Sequence, residues 1–230
     1  MQTVTRSNNA RCYNCGATDP STKDHVISKT LIPKPRPTNL ITVPACEECN
    51  GSYSRDEEYL KDRLSSVIGH PGQFQPQIWT KVWQSMQKLQ TKGRKVGLLK
   101  DVIPLKQPVL TDRGVSAMGI RIQKARSNRV VEKMIKGFYY HHFKNRLDGV
   151  TFHIDLLSSI NPNRNSSKIT DLITNVIKSP SWSVRFGDRT WVACQLLEDD
   201  ARGGLWVIGL FGGHIVFVVV MPLVLLSSNG

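Results

Sequence analysis

The chain has 230 residues, of which 40% are hydrophobic and 21% are charged, a composition that is ordinary for a globular protein and argues against a disordered chain. Its 31 basic and 18 acidic residues leave a formal net charge of +13, which favours an anionic partner, with nucleic acid ahead of an acidic membrane surface. Residues 69–146 hold 16 of the basic residues and only 3 acidic ones, so we expect a phosphate-facing surface there, with a solvated, solubilising surface as the alternative.

The N-terminal run MQTVTRSNNARC is polar and lacks the apolar core of a secretory signal, so we expect a cytoplasmic location. In a reducing compartment, thiols bind metal more often than they pair as disulfides. Four of the five cysteines form two C-x-x-C pairs, Cys12 with Cys15 and Cys46 with Cys49. Two such pairs make a tetrahedral thiolate set that suits a structural Zn²⁺, and four reduced, buried thiols are the alternative.

The segment between the two cysteine pairs carries candidate functional residues. Thirty residues separate Cys15 from Cys46, which is longer than the about 15–20 of a minimal zinc ribbon. The segment contains an Asp-His pair, a proline-rich loop with two basic residues and an Asn-Leu pair: Asp24, His25, Lys34, Arg36, Asn39 and Leu40. A further asparagine, Asn50, directly follows the last cysteine.

A helix is predicted after the second cysteine pair, in SYSRDEEYLKDRLSSVIGH. Ser54 and Glu57 have the spacing of a capping box, in which each side chain bonds the backbone N–H of the other residue. Apolar residues recur at helical spacing from Leu60 to Ile68. We therefore expect the first unit of the chain to cover residues 1–68.

Residues 69–125 are rich in proline, glycine and lysine and are predicted to connect two domains, with one helix in QIWTKVWQSMQKL. We expect Trp79 and Trp83 to pack in a core, with stacking on bases as the alternative. The run KLQTKGRKVGLLK has five basic residues and no acidic one. Three of them are predicted to bind nucleic acid: Lys92, Arg94 and Lys95.

Residues 126–230 predict an α+β domain, and the whole chain is therefore expected to be α+β. A helix is predicted in ARSNRVVEKMIKGFYYHHFKNRL, and strand-like runs follow in SWSVRFG, RTWVACQLL, LWVIGLF and HIVFVVV. A helix packed on an antiparallel sheet accommodates both. We interpret His141 and His142 as structural, because no nearby ligand spacing supports a metal site, and Cys194 as a small buried hydrophobe.

The apolar run GLWVIGLFGGHIVFVVVMPLVLL, residues 204–226, is long enough to span a membrane. However, Gly212 and Gly213 interrupt it, and valine and isoleucine dominate its second half. Two β-strands joined by a Gly-Gly turn explain these features better than a transmembrane helix, so we expect no membrane association.

The order Asp-His, Asn-Leu and C-x-x-C-Asn resembles the HNH endonuclease superfamily, which has a ββα-metal fold. It is most similar to the zinc-bearing branch in which asparagine replaces the last histidine, as in phage junction-resolving endonucleases. The resemblance covers about residues 10–68, under a third of the chain. All four cysteines and all three motif positions are present in order, which makes the match more specific than a single motif.

The resemblance implies a general base, an orienting residue and a catalytic cation. His25 would take a proton from water, a task that its near-neutral intrinsic pKa suits. Asn39 would orient the His25 ring. Asp24 and Asn50 would hold Mg²⁺ or Mn²⁺, which prefer oxygen ligands, while the zinc would be structural.

These roles describe a metal-dependent hydrolase that cleaves phosphodiester bonds in DNA, with Lys34 and Arg36 on adjacent phosphates. Cleavage of RNA and formation of a homodimer both stay open. The C-terminal domain would select the target, form a dimer or regulate the nuclease. The alternative is a non-catalytic zinc protein that binds nucleic acid. In that case Asp24-His25 is an ordinary surface dipeptide, and Asn50 caps a helix.

Overall fold

The computed structural model describes residues 10–32, 34–66, 76–104, 118–158, 167–211 and 214–223. The first elements are a two-stranded antiparallel hairpin, β1 (Thr22–His25) and β2 (Thr42–Ala45), followed by α1 (Glu47–Ser52) and α2 (Ser54–Ser65). A short 3₁₀ turn, Lys29–Leu31, lies in the loop between the strands. In the hairpin Asp24 is opposite Val43, and His25 is opposite Thr42. The hairpin and α1 therefore form a ββ-α arrangement.

The predicted capping box at the start of α2 is wrong. The N-cap of α2 is Tyr53, not Ser54, and no side chain caps it. Tyr53 has helical backbone angles because α2 follows α1 almost without interruption, and its carbonyl accepts the backbone N–H groups of Asp56 and Glu57. The helix is confirmed from Ser54 to Ser65, and its predicted C-terminal end lies outside the described residues.

The middle of the chain forms a small helical layer. It contains α3 (Pro76–Met86), a 3₁₀ turn (Leu89–Thr91), α4 (Lys92–Lys100) and the hairpin β3 (Val102–Pro104) with β4 (Met118–Ile120). Val82, Met86 and Leu98 form its buried cluster, against which Ile120 packs. The predicted tryptophan-bearing helix is thus confirmed, although the side chain of Trp79 lies outside the described residues.

The remaining elements are α5 (Lys124–Phe143), β5 (Val150–Ser158), α6 (Ser167–Lys178), β6 (Trp182–Phe186), β7 (Thr190–Leu196), β8 (Gly204–Leu210) and β9 (His214–Pro222). The five strands form one antiparallel sheet in the order β5-β9-β8-β7-β6. The four predicted strands are confirmed, and β5 is an addition. The apolar run from residue 204 forms the paired strands β8 and β9, and its Gly212-Gly213 turn lies outside the described residues. Among the described residues, no helix has the length and apolar character needed to cross a membrane.

The sheet separates two apolar layers. Alternate residues of β8, Trp206, Ile208 and Leu210, belong to the main buried cluster, whereas Val207 joins a second cluster with α6. The main cluster also contains the apolar residues of α5 and of the ββ-α segment, from Cys12 to Leu64. Helix α5 therefore lies between the cysteine-bearing segment and the sheet, and the chain has the predicted α+β class. The domain boundaries near residues 68 and 125 stay a prediction.

Gly137 of α5 allows the ββ-α segment to approach the helix closely. A Cβ atom at position 137 would lie 2.9 Å from both Cγ atoms of Val26, which is itself buried. Separations this short force neighbouring atoms to move, and a β-branched side chain in a packed core has little freedom to do so.

We expect Gly137→Leu to lower the free energy of unfolding by about 1–3 kcal/mol, because the added side chain overpacks the contact with Val26. Urea unfolding followed by circular dichroism would measure the change. Gly93→Leu is the matched control, since Gly93 is a helical glycine of α4 with open space around its missing Cβ and should lose no stability. Equal stability of the two variants would contradict the packing described here.

Candidate functional site

Four cysteines meet at one point between the N-terminal turn and α1. Cys12 and Cys15 lie in the turn before β1, whereas Cys46 is the N-cap of α1 and Cys49 lies in its first turn. Their four sulfur atoms lie within 4.8 Å of one another, and the Sγ atoms of Cys15 and Cys46 are 3.7 Å apart. Zn–S bonds of about 2.3 Å in a tetrahedron place the sulfurs about 3.8 Å apart, so the cluster has the geometry of a zinc site.

The thiols of this cluster have unequal acidities. Burial acts to raise the pKa of Cys12, but backbone N–H groups of Cys15, Cys46 and Asn14 together lower it to about 6. Burial raises the pKa of Cys49 to about 12, although the Asn14 amide donates to its sulfur at 3.4 Å. The cluster therefore combines thiolate with thiol at neutral pH, and a bound Zn²⁺ would displace the remaining protons.

The cysteine turn is joined to the β1–β2 hairpin by main-chain and side-chain hydrogen bonds. The backbone N–H of Tyr13 donates to the carbonyl of Pro44 in β2 at 3.0 Å. The Tyr13 hydroxyl donates to Oδ2 of Asp24 in β1 at 2.8 Å. On the α1 side, the Asn50 amide donates to the Thr22 hydroxyl of β1 at 3.1 Å. The four-cysteine cluster thus links two segments that each contact β1.

The Asp24 carboxylate is bound inside the protein by a lysine of α5. Asp24 is 4% exposed, and its Oδ1 lies 2.9 Å from Nζ of Lys133, which is 2% exposed. The same ammonium group contacts Oε1 of Glu57 at 2.5 Å and donates to the backbone carbonyl of His25 at 3.2 Å. One buried ammonium therefore joins β1, α2 and α5.

Burial and the lysine act on Asp24 in opposite directions. Loss of solvent is the larger effect and raises the pKa of the carboxyl, while the Lys133 charge lowers it. The negative charge of Glu57 raises the pKa further. Because two carboxylates face one ammonium, removing the ammonium would leave both without a counter-charge in a buried site.

His25 has the properties of an available base. Its side chain is half-buried, and no hydrogen bond joins its ring to another described residue. Burial lowers the pKa of His25, and the positive charge of Lys29 lowers it further. The imidazole is therefore neutral near pH 7, the form that accepts a proton.

The two asparagines differ in what they contact. The amide of Asn50 donates to the hydroxyl of Thr22 in β1. Thr22 and Asp24 project from the same face of β1, because side chains alternate along a strand. Asn39 instead donates its amide to the backbone carbonyl of Arg185 in β6 at 2.8 Å. No hydrogen bond joins Asn39 to His25 in the described part of the chain, so this arrangement differs from the expected orienting contact.

Two of the basic residues predicted to bind phosphate follow β1. Lys34 and Arg36 are exposed in the loop after β1, and Arg36 donates to the backbone carbonyl of Lys29 at 3.2 Å. That bond joins the guanidinium to the 3₁₀ turn that follows β1. Besides burial, the positive charge of Arg36 lowers the pKa of His25.

The basic residues of α4 have different environments. Arg94 contacts Asp62 through two nitrogen atoms, at 2.7–3.0 Å, and Glu58 at 2.7 Å, so its charge is neutralised within the chain. Lys95 donates to Gln87 and lies 4.9 Å from the centroid of the Trp83 ring. Lys92 is exposed and, within the described ranges, has no ion pair. The carboxylates of α2 therefore bind part of the positive charge that was expected to meet phosphate.

Sequence reasoning missed Lys133 and Tyr13, whose side chains determine the state of Asp24. A signal for Lys133 does exist: it lies within the apolar stripe of α5, three residues after Val130 and next to Met134. A lysine on a buried helical face requires a buried partner. Nothing in the sequence identifies that partner, because Asp24 and Glu57 are far from it along the chain.

The described residues form an α+β fold with a four-cysteine cluster of zinc-site geometry and a half-buried histidine at the end of β1. No family model, curated protein or solved structure matches the chain. Its function is therefore inferred from these side chains and from the motif order.

We expect Lys133→Met to lower the free energy of unfolding by about 3–5 kcal/mol, because Asp24 and Glu57 would stay buried without a counter-charge. Urea denaturation would measure the loss. Lys136→Met is the control on the same helix, where a change of about 0.5 kcal/mol or less is expected for a side chain without such partners. A loss no greater than that of the control would show that the ion pairs contribute little.

We expect purified protein to contain about one Zn²⁺ per chain, because the four sulfurs form one site. Cys15→Ser should lower both the zinc content and the thermal midpoint, while Cys194→Ser removes a buried thiol outside the cluster and should keep the metal. Atomic emission of the purified variants, with thermal unfolding before and after chelation, would measure both. Metal-free wild-type protein with unchanged stability would rule out a structural zinc.

Proposed function

We propose that the chain is an HNH-type endonuclease that hydrolyses phosphodiester bonds in DNA, with His25 as the general base. The observation that carries this proposal is the position of His25 at the end of β1. The cysteine turn contacts that strand through Tyr13, and the first turns of α1 contact it through Asn50. A neutral imidazole with a lowered pKa accepts a proton from water at physiological pH.

DNA is the proposed substrate because exposed basic residues follow His25 in the loop of the hairpin. Lys34 and Arg36 are exposed in the adjoining loop, where they would contact phosphates on either side of the cleaved bond. Binding through such contacts should weaken steeply as salt is raised, since bound phosphates release counterions. RNA shares this backbone chemistry and is one arm of the test below.

The catalytic Mg²⁺ or Mn²⁺ implied by the resemblance does not fit the Asp24 site as it stands. Both Asp24 oxygens are bound, one by Tyr13 and the other by the Lys133 ammonium. A divalent cation on the same carboxylate would lie close to that ammonium, and the two positive charges would repel each other. Asn50 keeps its carbonyl oxygen for a ligand, but a single neutral oxygen is a weak cation site. We therefore assign no step to a cation.

This ion pair favours a second candidate function, a non-catalytic zinc protein that binds nucleic acid. In that protein the Lys133 ammonium group would occupy the position of the catalytic cation, and the Asp24–Lys133 pair would contribute only to stability. The zinc cluster and the exposed basic loop would be retained. The two candidates differ in one observable, which is cleavage.

We expect wild-type protein to cleave at least one of plasmid, linear duplex, single-stranded and branched DNA, and His25→Ala to lower the rate by about 10²- to 10⁴-fold while binding is retained. The rate should rise with pH through the lowered pKa of His25 and level off by neutral pH, because only the neutral ring accepts a proton. Gel assays with Mg²⁺, Mn²⁺ or chelator, with RNA in parallel, would measure cleavage and the need for a cation.

His153→Ala is the matched control, since His153 is an exposed histidine of β5, and it should cleave like the wild type. Retained cleavage in His25→Ala would contradict the assigned base. Binding without cleavage of any substrate under every ion condition would instead establish the non-catalytic candidate.

A further inference from the structure

An open cavity of about 570 Å³ lies at the C-terminal end of α5. Its wall contains four basic residues and one acidic residue: Arg11, Lys144, Arg146, Arg202 and Asp148. Two tyrosines and an asparagine complete it, Tyr139, Tyr140 and Asn145. None of the residues that line the cavity belongs to the proposed catalytic set around His25.

The cavity is built against the cysteine turn. Arg11 immediately precedes the first zinc-type cysteine, and Arg146 lies directly on Gly16, where a Cβ atom would overlap its guanidinium. Gly16 has φ +80°, a conformation that glycine adopts without strain. Arg202 reaches the same wall from the loop between β7 and β8. Three distant segments of the chain thus bring cations to one concave surface.

Charge remains in this cavity after its internal ion pairs are counted. Arg146 pairs with Asp148 at 2.9 Å, and Arg202 pairs with Asp200 at 2.7 Å. Arg11 and Lys144 have no carboxylate partner within the described residues, so two positive charges are left over. Lys144 donates to the backbone carbonyl of His141 at 2.7 Å, which also neutralises one of the helix-end carbonyls that would repel an anion.

One donor in the wall lacks a partner. Nε of Arg146 is buried and makes no hydrogen bond to any described residue. Buried N–H groups are almost always bonded, so this donor is an exception, but it is closed to solvent and is not counted among the donors that face the cavity. Arg11 has no carboxylate partner in the described part of the chain, and its planar guanidinium matches the tetrahedral oxygens of phosphate better than an isolated ammonium group does.

We propose that this cavity binds a phosphate group, supplied either as a free phosphate or as a phosphodiester of a nucleic acid. The two unpaired positive charges would meet the negative charge of the phosphate, and the cavity offers the Arg11 guanidinium, the Lys144 ammonium group and tyrosine hydroxyls as donors. The site does not depend on cleavage by His25, so it stands or falls separately from the nuclease proposal.

The test compares two double variants that each remove two exposed or solvent-facing charges. Arg11→Gln/Lys144→Gln removes the unpaired cations of the cavity, and Arg185→Gln/Lys178→Gln removes the same charge from β6 and α6. Binding of inorganic phosphate would be followed by ³¹P NMR and thermal shift at constant ionic strength. Binding of a short DNA duplex would be followed by fluorescence anisotropy, with every protein carrying His25→Ala to suppress cleavage.

We expect the cavity variant to bind phosphate or duplex at least about tenfold more weakly than the wild type, while the control pair changes by a small factor. Weakening of duplex binding identifies the nucleic acid backbone as the source of the phosphate, and weakening of inorganic phosphate alone identifies a free phosphate. If the cavity variant and the control bind both probes equally, or neither probe binds wild type, the proposal is overturned.

Discussion

The ammonium group of Lys133 is the interaction on which the arrangement of the N-terminal segment depends. It lies inside the protein and contacts the carboxylates of Asp24 and Glu57 and the carbonyl of His25. An ammonium removed from water is stable only when charges and hydrogen bonds replace its hydration. Its partners lie on β1 and α2, so the contacts that stabilise this lysine of α5 also fix the positions of both elements. The apolar contact of Gly137 with Val26, one turn further along α5, holds the same surfaces together without charge.

The Lys133 ammonium group also limits which ligands the Asp24 carboxylate can bind. A carboxylate shared by a phenol and a lysine is a structural group, whereas one that faces solvent is a ligand for hard cations. Asp24 is in the first state here, while His25, the next residue on the strand, is half-buried with a ring free of hydrogen bonds to the described residues. Alternation along the strand separates these roles. The motif order therefore supports a nuclease, and the ion pair supports a protein that binds without cutting.

Patterns within short stretches of the sequence were the easiest to predict. The two C-x-x-C pairs gave the four-cysteine cluster, and the interrupted apolar run gave β8 and β9, because each depends on neighbouring residues. Contacts between distant residues were not predictable. Lys133 meets Asp24 across 109 positions of sequence, and Asn39 donates to a carbonyl 146 residues away. Arg94 looked free to bind phosphate because its partner Asp62 lies on another helix. Strand β5 was missed although its first seven residues, VTFHIDL, alternate between apolar and polar, which is the pattern of a strand with one buried face.

The order of strands in the sheet has a consequence for biosynthesis. β9 lies between β5 and β8, so the strand of this sheet that is made last occupies an interior position. Until β9 leaves the ribosome, β5 has no neighbour in the sheet, and the hairpins of β6, β7 and β8 expose an unpaired edge. Closing a sheet through pairings so distant in sequence is slow, because the loop entropy is lost before the contacts form. Nascent chains would therefore present the open, largely apolar edges of β5 and β8 for chaperones to cover.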